Sequence, residues 1–391
     1  MPTHDAIVVG AGPAGATVAY ELAKSGLDVL ILEKEKFPRY KPCGGGLSLK
    51  INQILNFSIN DAIEATVMGA YFTCNKKEGL LLLSDRPVAY MVMRERFDSI
   101  LISEALKAGA KLIEGSQVKG IAYAKKGYDV LVGNKVFNSQ YVIGADGVNG
   151  VTRRFIHPHG SRYIAASLEA EIPLGQEMID RHSNYVHIDF GAIPYGYAWV
   201  FPKKRYLSAG IAGFRGTVKQ PKRYFDKFIK GHTTFSGIKE YKYKGYPIPL
   251  FRNSQHLTKG GILLTGDAGN LVDPFFGEGI YYAIRSAQIA SSVVSKTINN
   301  GGTDLSQYDK LLGNELYPEF KAAQRMSQAV YAFPTMWYDI LSERQELAEK
   351  YYDVLRGDSR YTLFLKELKS IAGSLMKTAV KKGILQFFQH D

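Results

Sequence analysis

The glycine pattern Gly10-x-Gly12-x-x-Gly15 constrains this chain most, because of what flanks it. Residues 6–9 are an unbroken apolar run ending at glycine, which reads as a parallel strand buried on both faces. Residues 14–25 have helical spacing, with Gly26 placed as the cap. Residues 29–32 read as a second buried strand ending at Glu33 and Lys34. Strand, glycine turn, helix and strand in this order form the unit that holds a dinucleotide. Gly10 permits the tight turn, Gly12 lets the backbone approach a pyrophosphate, and Gly15 allows close helix–strand packing. Pro13 and Ala14 open a helix whose N-terminal amides and partial positive charge suit phosphates. Glu33, about 20 residues on, is placed to accept from ribose hydroxyls, with Lys34 beside it. The alternative is a glycine-rich packing turn that holds nothing.

Two further motifs point to which dinucleotide. Gly144-Ala145-Asp146-Gly147 follows a buried strand at 141–143, and Gly266-Asp267-Ala268 follows an apolar run at 261–265. Asp267 is thereby presented at a carboxyl edge of a sheet, where ligands bind, and can accept from a polyol such as a ribityl chain. Pro274, Gly277 and Gly279 precede a helix over 279–297, whose N-terminus can face the pyrimidine edge of a flavin. Arg94-x-x-Phe97-Asp98 opens a helix over 94–108 and can add a cation near the cofactor. Plainer readings stand beside these: Asp267 as a helix cap, Arg94–Asp98 as an i,i+4 surface pair.

Composition removes other classes. At 391 residues, 46% hydrophobic and 22% charged, the chain suits a large core and two or three intimate domains. Two cysteines, Cys43 and Cys74, exclude a disulfide framework and a four-cysteine metal site. The N-terminus lacks the basic region of a secretory signal, and no stretch reads as a membrane span. Lys and Arg exceed Asp and Glu by 49 to 37, which favours anionic partners or simply solubility. That excess reads as spread along the chain, without a nucleic-acid motif, so no nucleic-acid partner is expected.

The pattern along the chain predicts an α/β fold, α+β overall. A discontinuous Rossmann-like domain spans 1–60, 95–160 and 256–300. An antiparallel-sheet substrate domain over 61–94 and 161–255 is inserted in it, and a helical region follows at 301–391.

Together Gly10, Gly12, Gly15, Glu33, Arg94, Asp146-Gly147 and Gly266-Asp267 resemble the FAD fingerprints of the p-hydroxybenzoate hydroxylase-like superfamily. Within it, Lys41-Pro42-Cys43-Gly44-Gly45-Gly46-Leu47-Ser48 resembles the cysteine loop of geranylgeranyl reductases. Residues 194–202, with Tyr197, Trp199, Phe201 and Pro202, resemble their Tyr-x-Trp-x-Phe-Pro signature. The Gly-x-Gly that normally follows is altered here: Gly210 is followed by Ala212 and Gly213. The resemblance implies FAD and saturation of isoprenoid double bonds on a lipid or prenyl (di)phosphate. It also implies a site at Cys43, Gly44, Gly45, Tyr197, Trp199 and Phe201.

On a strand Tyr197, Trp199 and Phe201 share one face, which makes either an ordinary core face or an aromatic wall for an apolar ligand. The glycines after Cys43 let the loop approach a flat ligand closely. The Cys43 thiol there is either a proton donor to the carbon opposite the hydride or a shaping group, whereas Cys74 reads as core. His157 and His159 do not complete a metal site, and His187 with Asp189 reads as a polar sheet face. No nucleophile elbow or Walker loop is present, so the chemistry is assigned to the cofactor.

Rival classes are an FAD-dependent monooxygenase or halogenase, a quinone-linked electron-transfer flavoprotein, and a non-catalytic flavin-binding lipid carrier. The electron donor is NAD(P)H or a small redox protein. Residues 363–388 mix apolar residues with Lys366, Lys369, Lys377, Lys381 and Lys382. They read either as a helix packed on the core or as a peripheral contact with an anionic membrane. The expected location is the cytoplasm, with the inner membrane face as the site of any such contact.

Overall fold

The computed structural model describes residues 4–368 apart from 76, 161, 162, 215 and 217. Four parallel strands carry the dinucleotide half: His4–Val9, Val29–Leu32, Lys135–Gly144 and Ile262–Leu264. Their register aligns Val9 with Leu32 and with Gly144, and Gly144 with Leu264. All four strands therefore end at one edge. The three glycine motifs, more than 115 residues apart in sequence, emerge there side by side because parallel strands share a carboxyl edge. Lys111–Ile113 extends the sheet beyond Val29–Leu32. A hairpin, Val118–Tyr123 and Tyr128–Val132, attaches antiparallel to Lys135–Gly144 and was not legible in the sequence.

The first helix is Pro13–Lys24, with Pro13 in its first turn. It stops at Gly26, whose φ of 82° lets its N–H reach Ala23 O while Leu27 N–H reaches Leu22 O. It packs between the helices Arg94–Lys107 and Ile280–Asn299.

The substrate half is a seven-stranded sheet. Its order is Tyr243–Pro249, Ile164–Pro173, Tyr206–Gly213, Gly196–Pro202, Tyr185–Asp189, Gly69–Thr73 and Leu80–Leu83. It is antiparallel except where Tyr185–Asp189 runs parallel to Gly69–Thr73. Residues 61–94 divide between sheets: Ile63–Val67 and Ala89–Val92 instead join Gly46–Ser48 in a small one. The helix Pro221–Gly231 seals the sheet's outer face, burying Phe225, Phe228 and Ile229 against Ala170, Val200 and Ile211. Its other side exposes Lys222, Arg223, Lys227 and Lys230, so the positive charge is less evenly spread than the sequence reads.

His187 faces this buried layer and not solvent; it is 6% exposed. Thr234 N–H donates to His232 Nδ1, and His232 Nε2 lies 2.7 Å from His187 Nδ1. His187 Nε2 lies 2.8 Å from Thr73 Oγ1, which in turn donates to Asp189. The chain closes only with both imidazoles neutral, each donating once and accepting once. Burial, then the neighbouring imidazoles, His182 among them, lower His187 to about 3 and His232 to about 4. A depressed histidine pKa means that the unfolded chain binds protons first. This contribution is thus complete above the unfolded value of about 6.5 and is lost as pH falls toward 4, at up to about 1.4 kcal/mol per pH unit for each histidine. Urea unfolding at pH 7 and pH 5 is expected to show this acid limb, and His187→Gln to flatten it; an unchanged slope would count against the assignment.

Four helices follow the dinucleotide half: Gln307–Glu315, Tyr317–Ala332, Pro334–Glu343 and Glu346–Arg356. Residues 361–368 are also helical, burying Phe364 and Leu365 in the core while Lys366 is exposed. The lysine-rich segment beyond 368 lies outside the described residues. Among them, no helix is long and apolar enough to cross a membrane.

Candidate active site

A cavity of about 660 Å³ runs along the carboxyl edge of the parallel sheet and under the seven-stranded sheet. That is within the usual range for a small-molecule site. Gly10, Gly12, Pro13, Ala14, Glu33 and Lys34 border one end. Arg94, Asp146, Gly147, Asp267, Gly277 and Gly279 border the middle, and Cys43, Gly44, Gly45, Tyr197, Trp199 and Phe201 the sheet side. Three expected residues do not border it. A Cβ on Gly15 would lie 1.8 Å from Gly10 O, and one on Gly266 3.0 Å from Ala14 Cβ, so both serve packing. Pro274 lies in the turn that Asp273 organises by accepting from Phe275 N–H and Phe276 N–H.

At the glycine end, a Cβ on Gly12 would meet only Arg39 Nη2, at 3.6 Å, so the backbone there is open to the cavity. Glu33 is 4% exposed and held by Ala11 N–H at 2.7 Å and Glu35 N–H at 3.0 Å. Arg39 was missed by the sequence reading, since a single arginine in a proline loop carries no pattern. Its Nη2 lies 3.1 Å from Asp98, while its Nε is buried without a protein partner. Arg94 and Asp98 do pair at i,i+4, through bonds of 2.8 and 2.9 Å. The pair is buried, however, with no Asp98 side chain exposed, and Asp98 is shared by two arginines. Asp146 turns part of its bonding inward, accepting from Thr152 N–H and Thr152 Oγ1 at the start of a short helix.

The cysteine loop is shaped by the aromatic wall. A Cβ on Gly44 would lie 2.8 Å from Trp199 Nε1, and one on Gly46 3.1 Å from the Phe201 ring. These two glycines thus make room for aromatic side chains, whatever else they approach. The altered glycine pattern has the same cause. Gly210 lies opposite Trp199 in register, and a Cβ there would sit 2.1 Å from the indole. Ala212 lies opposite Tyr197, where a small side chain suffices. Cys43 Sγ accepts from Gly45 N–H at 3.4 Å and from Arg94. Cys74 is fully buried in the core.

Two ionisable side chains missed by the sequence reading grip the loop from the substrate sheet. Lys203, 2% exposed, donates to Gly44 O at 2.8 Å and Val92 O at 2.9 Å; burial lowers it to about 8. Glu169, 4% exposed, accepts from Tyr40 Oη at 2.9 Å and from Cys43 N–H. Both sit in alternating stretches whose polar positions read as solvent-facing. Lys41, also lowered to about 8 by burial, places its Nζ 3.2 Å from the Tyr246 ring centroid and faces Asp267.

The far end of the cavity is apolar. Phe72, Ile188 and Phe276 meet Tyr351, Tyr352 and Leu355 of the helix Glu346–Arg356. Tyr352 fastens that helix to the sheet, accepting from Ala70 N–H at 3.0 Å and donating to Leu82 O at 2.9 Å. The helix Glu346–Arg356 therefore lines the apolar end of the cavity, a role that spacing alone did not reveal.

Comparison with known proteins bears directly on this arrangement. Residues 3–186 match the FAD binding domain family, and residues 171–242 match the geranylgeranyl reductase catalytic domain. The chain is 30% identical over 328 residues to the digeranylgeranylglycerophospholipid reductase of Methanosarcina acetivorans, covering 79% of each. The chain belongs to the geranylgeranyl reductase family. It is also 29% identical over 330 residues to the geranylgeranyl diphosphate reductase of Synechocystis, covering 78% of this chain and 79% of that one. A solved geranylgeranyl bacteriochlorophyll reductase-like protein from Thermoplasma acidophilum superposes with a TM-score of 0.79 at 25% identity, covering 95% of this chain and 99% of that one. The flavin-dependent brominase Bmp2 superposes at 0.74 with 18% identity, which shows the shared fold.

This member of the family is an FAD-dependent oxidoreductase acting on C=C bonds. The residues present fit the cofactor: Gly12 leaves backbone open, and Arg39 Nε lies buried and unpartnered beside it. Gly10, Gly12 and Arg39 would hold its phosphates, Glu33 a ribose, Asp267 the polyol chain, and Gly277 and Gly279 its ring. When bound, FAD supplies hydride chemistry. The Tyr197–Trp199–Phe201 wall would orient the ligand, and the helix Glu346–Arg356 borders the apolar end of the cavity.

Proposed function

We propose that the protein saturates C=C bonds of geranylgeranyl chains carried by a membrane lipid or a prenyl (di)phosphate. The observation that carries this reading is the form of the cavity. It is polar and glycine-lined where a dinucleotide fits, and apolar past Cys43, where it is walled by Tyr197, Trp199, Phe276 and Tyr351. An isolated alkene offers little to polarise, so catalysis rests on positioning a long apolar chain, which an aromatic-walled pocket provides. The relatives named for geranylgeranyl lipids and diphosphate support it. In this reading the dinucleotide domain is 1–60, 95–160 and 256–300, the substrate domain 61–94 and 161–255, and the C-terminal helical region 301–391, of which Tyr351, Tyr352 and Leu355 line the cavity. Electrons come from NAD(P)H or a small redox protein, and the lipid is met at a membrane surface. Anaerobic incubation of the dithionite-reduced protein with geranylgeranyl lipid, followed by mass spectrometry, is expected to show gain of hydrogen pairs. No gain with the flavin still reduced would overturn the reading and favour the oxygen-dependent halogenase or monooxygenase class.

A further inference from the structure

Among the described residues bordering the cavity, most carboxylates are committed elsewhere. Glu33 is held by two backbone N–H groups, Asp146 by Thr152, and Glu278 by Lys50 and Ser48. Asp267 and Glu35 follow the strands Ile262–Leu264 and Val29–Leu32 of the parallel sheet. Glu169 is the one carboxyl group that the seven-stranded sheet presents to the cavity. It shares its face with Trp199, two strands away, because Glu169 pairs with Gly210 and Gly210 pairs with Trp199. It is 4% exposed, yet its Oε1 lies 2.9 Å from Tyr40 Oη, and Tyr40 is 38% exposed. Lys244 Nζ covers the Tyr40 ring at 3.7 Å. On the inner side Glu169 accepts from Cys43 N–H. A hydrogen-bonded path thus leads from solvent through a phenol to a buried carboxyl, and ends at the loop that carries the site thiol.

We propose that Glu169 is the proton-carrying acid of this active site, refilled from solvent through Tyr40. The proposal rests on the C=C saturation reading. Saturation needs one hydride and one proton per double bond. The reduced cofactor would supply the hydride to one alkene carbon. On the other carbon a C–H bond forms with the proton released as the Glu169 O–H bond breaks, directly or by way of the Cys43 thiol, which then takes it back. As the carboxylate left behind takes the Tyr40 proton, a solvent proton passes to the phenol oxygen in the same step, so that no phenolate forms. Burial keeps the acid protonated beyond the ordinary carboxylate range; Glu171 acts in the same direction, while Lys203 and the Cys43 N–H and Tyr40 hydroxyl bonds oppose it.

The test has one arm independent of turnover. Infrared spectra of the holoenzyme along a pH titration are expected to show a protonated-carboxyl band that persists above the ordinary carboxylate range and is missing in Glu169→Gln. Absence of that band, or its persistence in the variant, overturns the proposal. In the second arm, reduced wild type first establishes saturation of geranylgeranyl lipid. If the wild type fails, the functional reading fails, and the infrared arm still decides the state of Glu169. Glu169→Gln is expected to slow saturation about 100-fold, the scale of general acid catalysis, with FAD content and lipid binding unchanged. Tyr40→Phe is expected to slow it less and to move the pH profile. Turnover within threefold of wild type, with an unmoved profile, overturns the proposal. Should Glu169→Gln not fold, Glu169→Asp and Tyr40→Phe carry the same measurements.

Discussion

Replacing Gly12 with valine is expected to give a folded protein that no longer carries FAD, whereas Gly15→Val is expected not to fold at all. The two glycines stand in one motif but face different things. A side chain at Gly12 meets only the end of Arg39 and projects into the cavity, where the pyrophosphate would sit. Its cost to the fold is small, because the backbone there has φ −71° and ψ −176°, which any residue adopts. A side chain at Gly15 would overlap the Gly10 carbonyl, the Cβ lying only 1.8 Å from the oxygen. Strand and helix would have to separate at the centre of the core, a loss of about 4 kcal/mol or more. Flavin absorbance after purification, with circular dichroism and urea unfolding, separates the outcomes. A yellow Gly12→Val protein would contradict the placement of the pyrophosphate.

Lys203→Met is expected to loosen the cysteine loop and lower turnover at least about tenfold, with FAD still bound. The Lys203 ammonium is the donor to both Gly44 O and Val92 O, and the residue is only 2% exposed. A buried carbonyl stripped of its donor costs about 1–3 kcal/mol, while removing a buried ammonium returns part of that. The net expectation is a loss of about 2 kcal/mol in unfolding free energy, concentrated at Cys43 and Gly44. Hydrogen exchange of residues 40–46 reports the local effect and urea unfolding the global one. If exchange, stability and turnover all match wild type, Lys203 does not hold the loop.

The dinucleotide half was the most legible part of the chain. Buried parallel strands read as continuous apolar runs, and Val29–Leu32 has the bounds expected from its run. Glycines at fixed offsets mark turns that no other residue makes. The antiparallel sheet was legible as alternation, but the meaning of its polar positions was not. Alternation shows that Glu169 and His187 lie on opposite faces from their apolar neighbours; it does not show whether those faces meet water, a helix or a cavity. His187 proved to lie beneath the layer around His232, and Glu169 to border the ligand cavity. Arg39 and Lys203 left no trace for the same reason: a single cation acquires meaning only from what is folded against it.

The sequence by itself determined the local rules: a glycine turn between strand and helix, an acidic residue after the second strand, and an aromatic triplet at period two. These are contacts between near neighbours, so spacing encodes them. Only the tertiary structure decided which of them share a site. Parallel register brought Gly10, Asp146 and Asp267 to one edge. Packing put Trp199 over Gly44, Lys203 and Glu169 behind Cys43, and Tyr351 at the apolar end of the cavity. Those meetings depend on long-range burial, which sums over the whole core and leaves no periodicity in the chain.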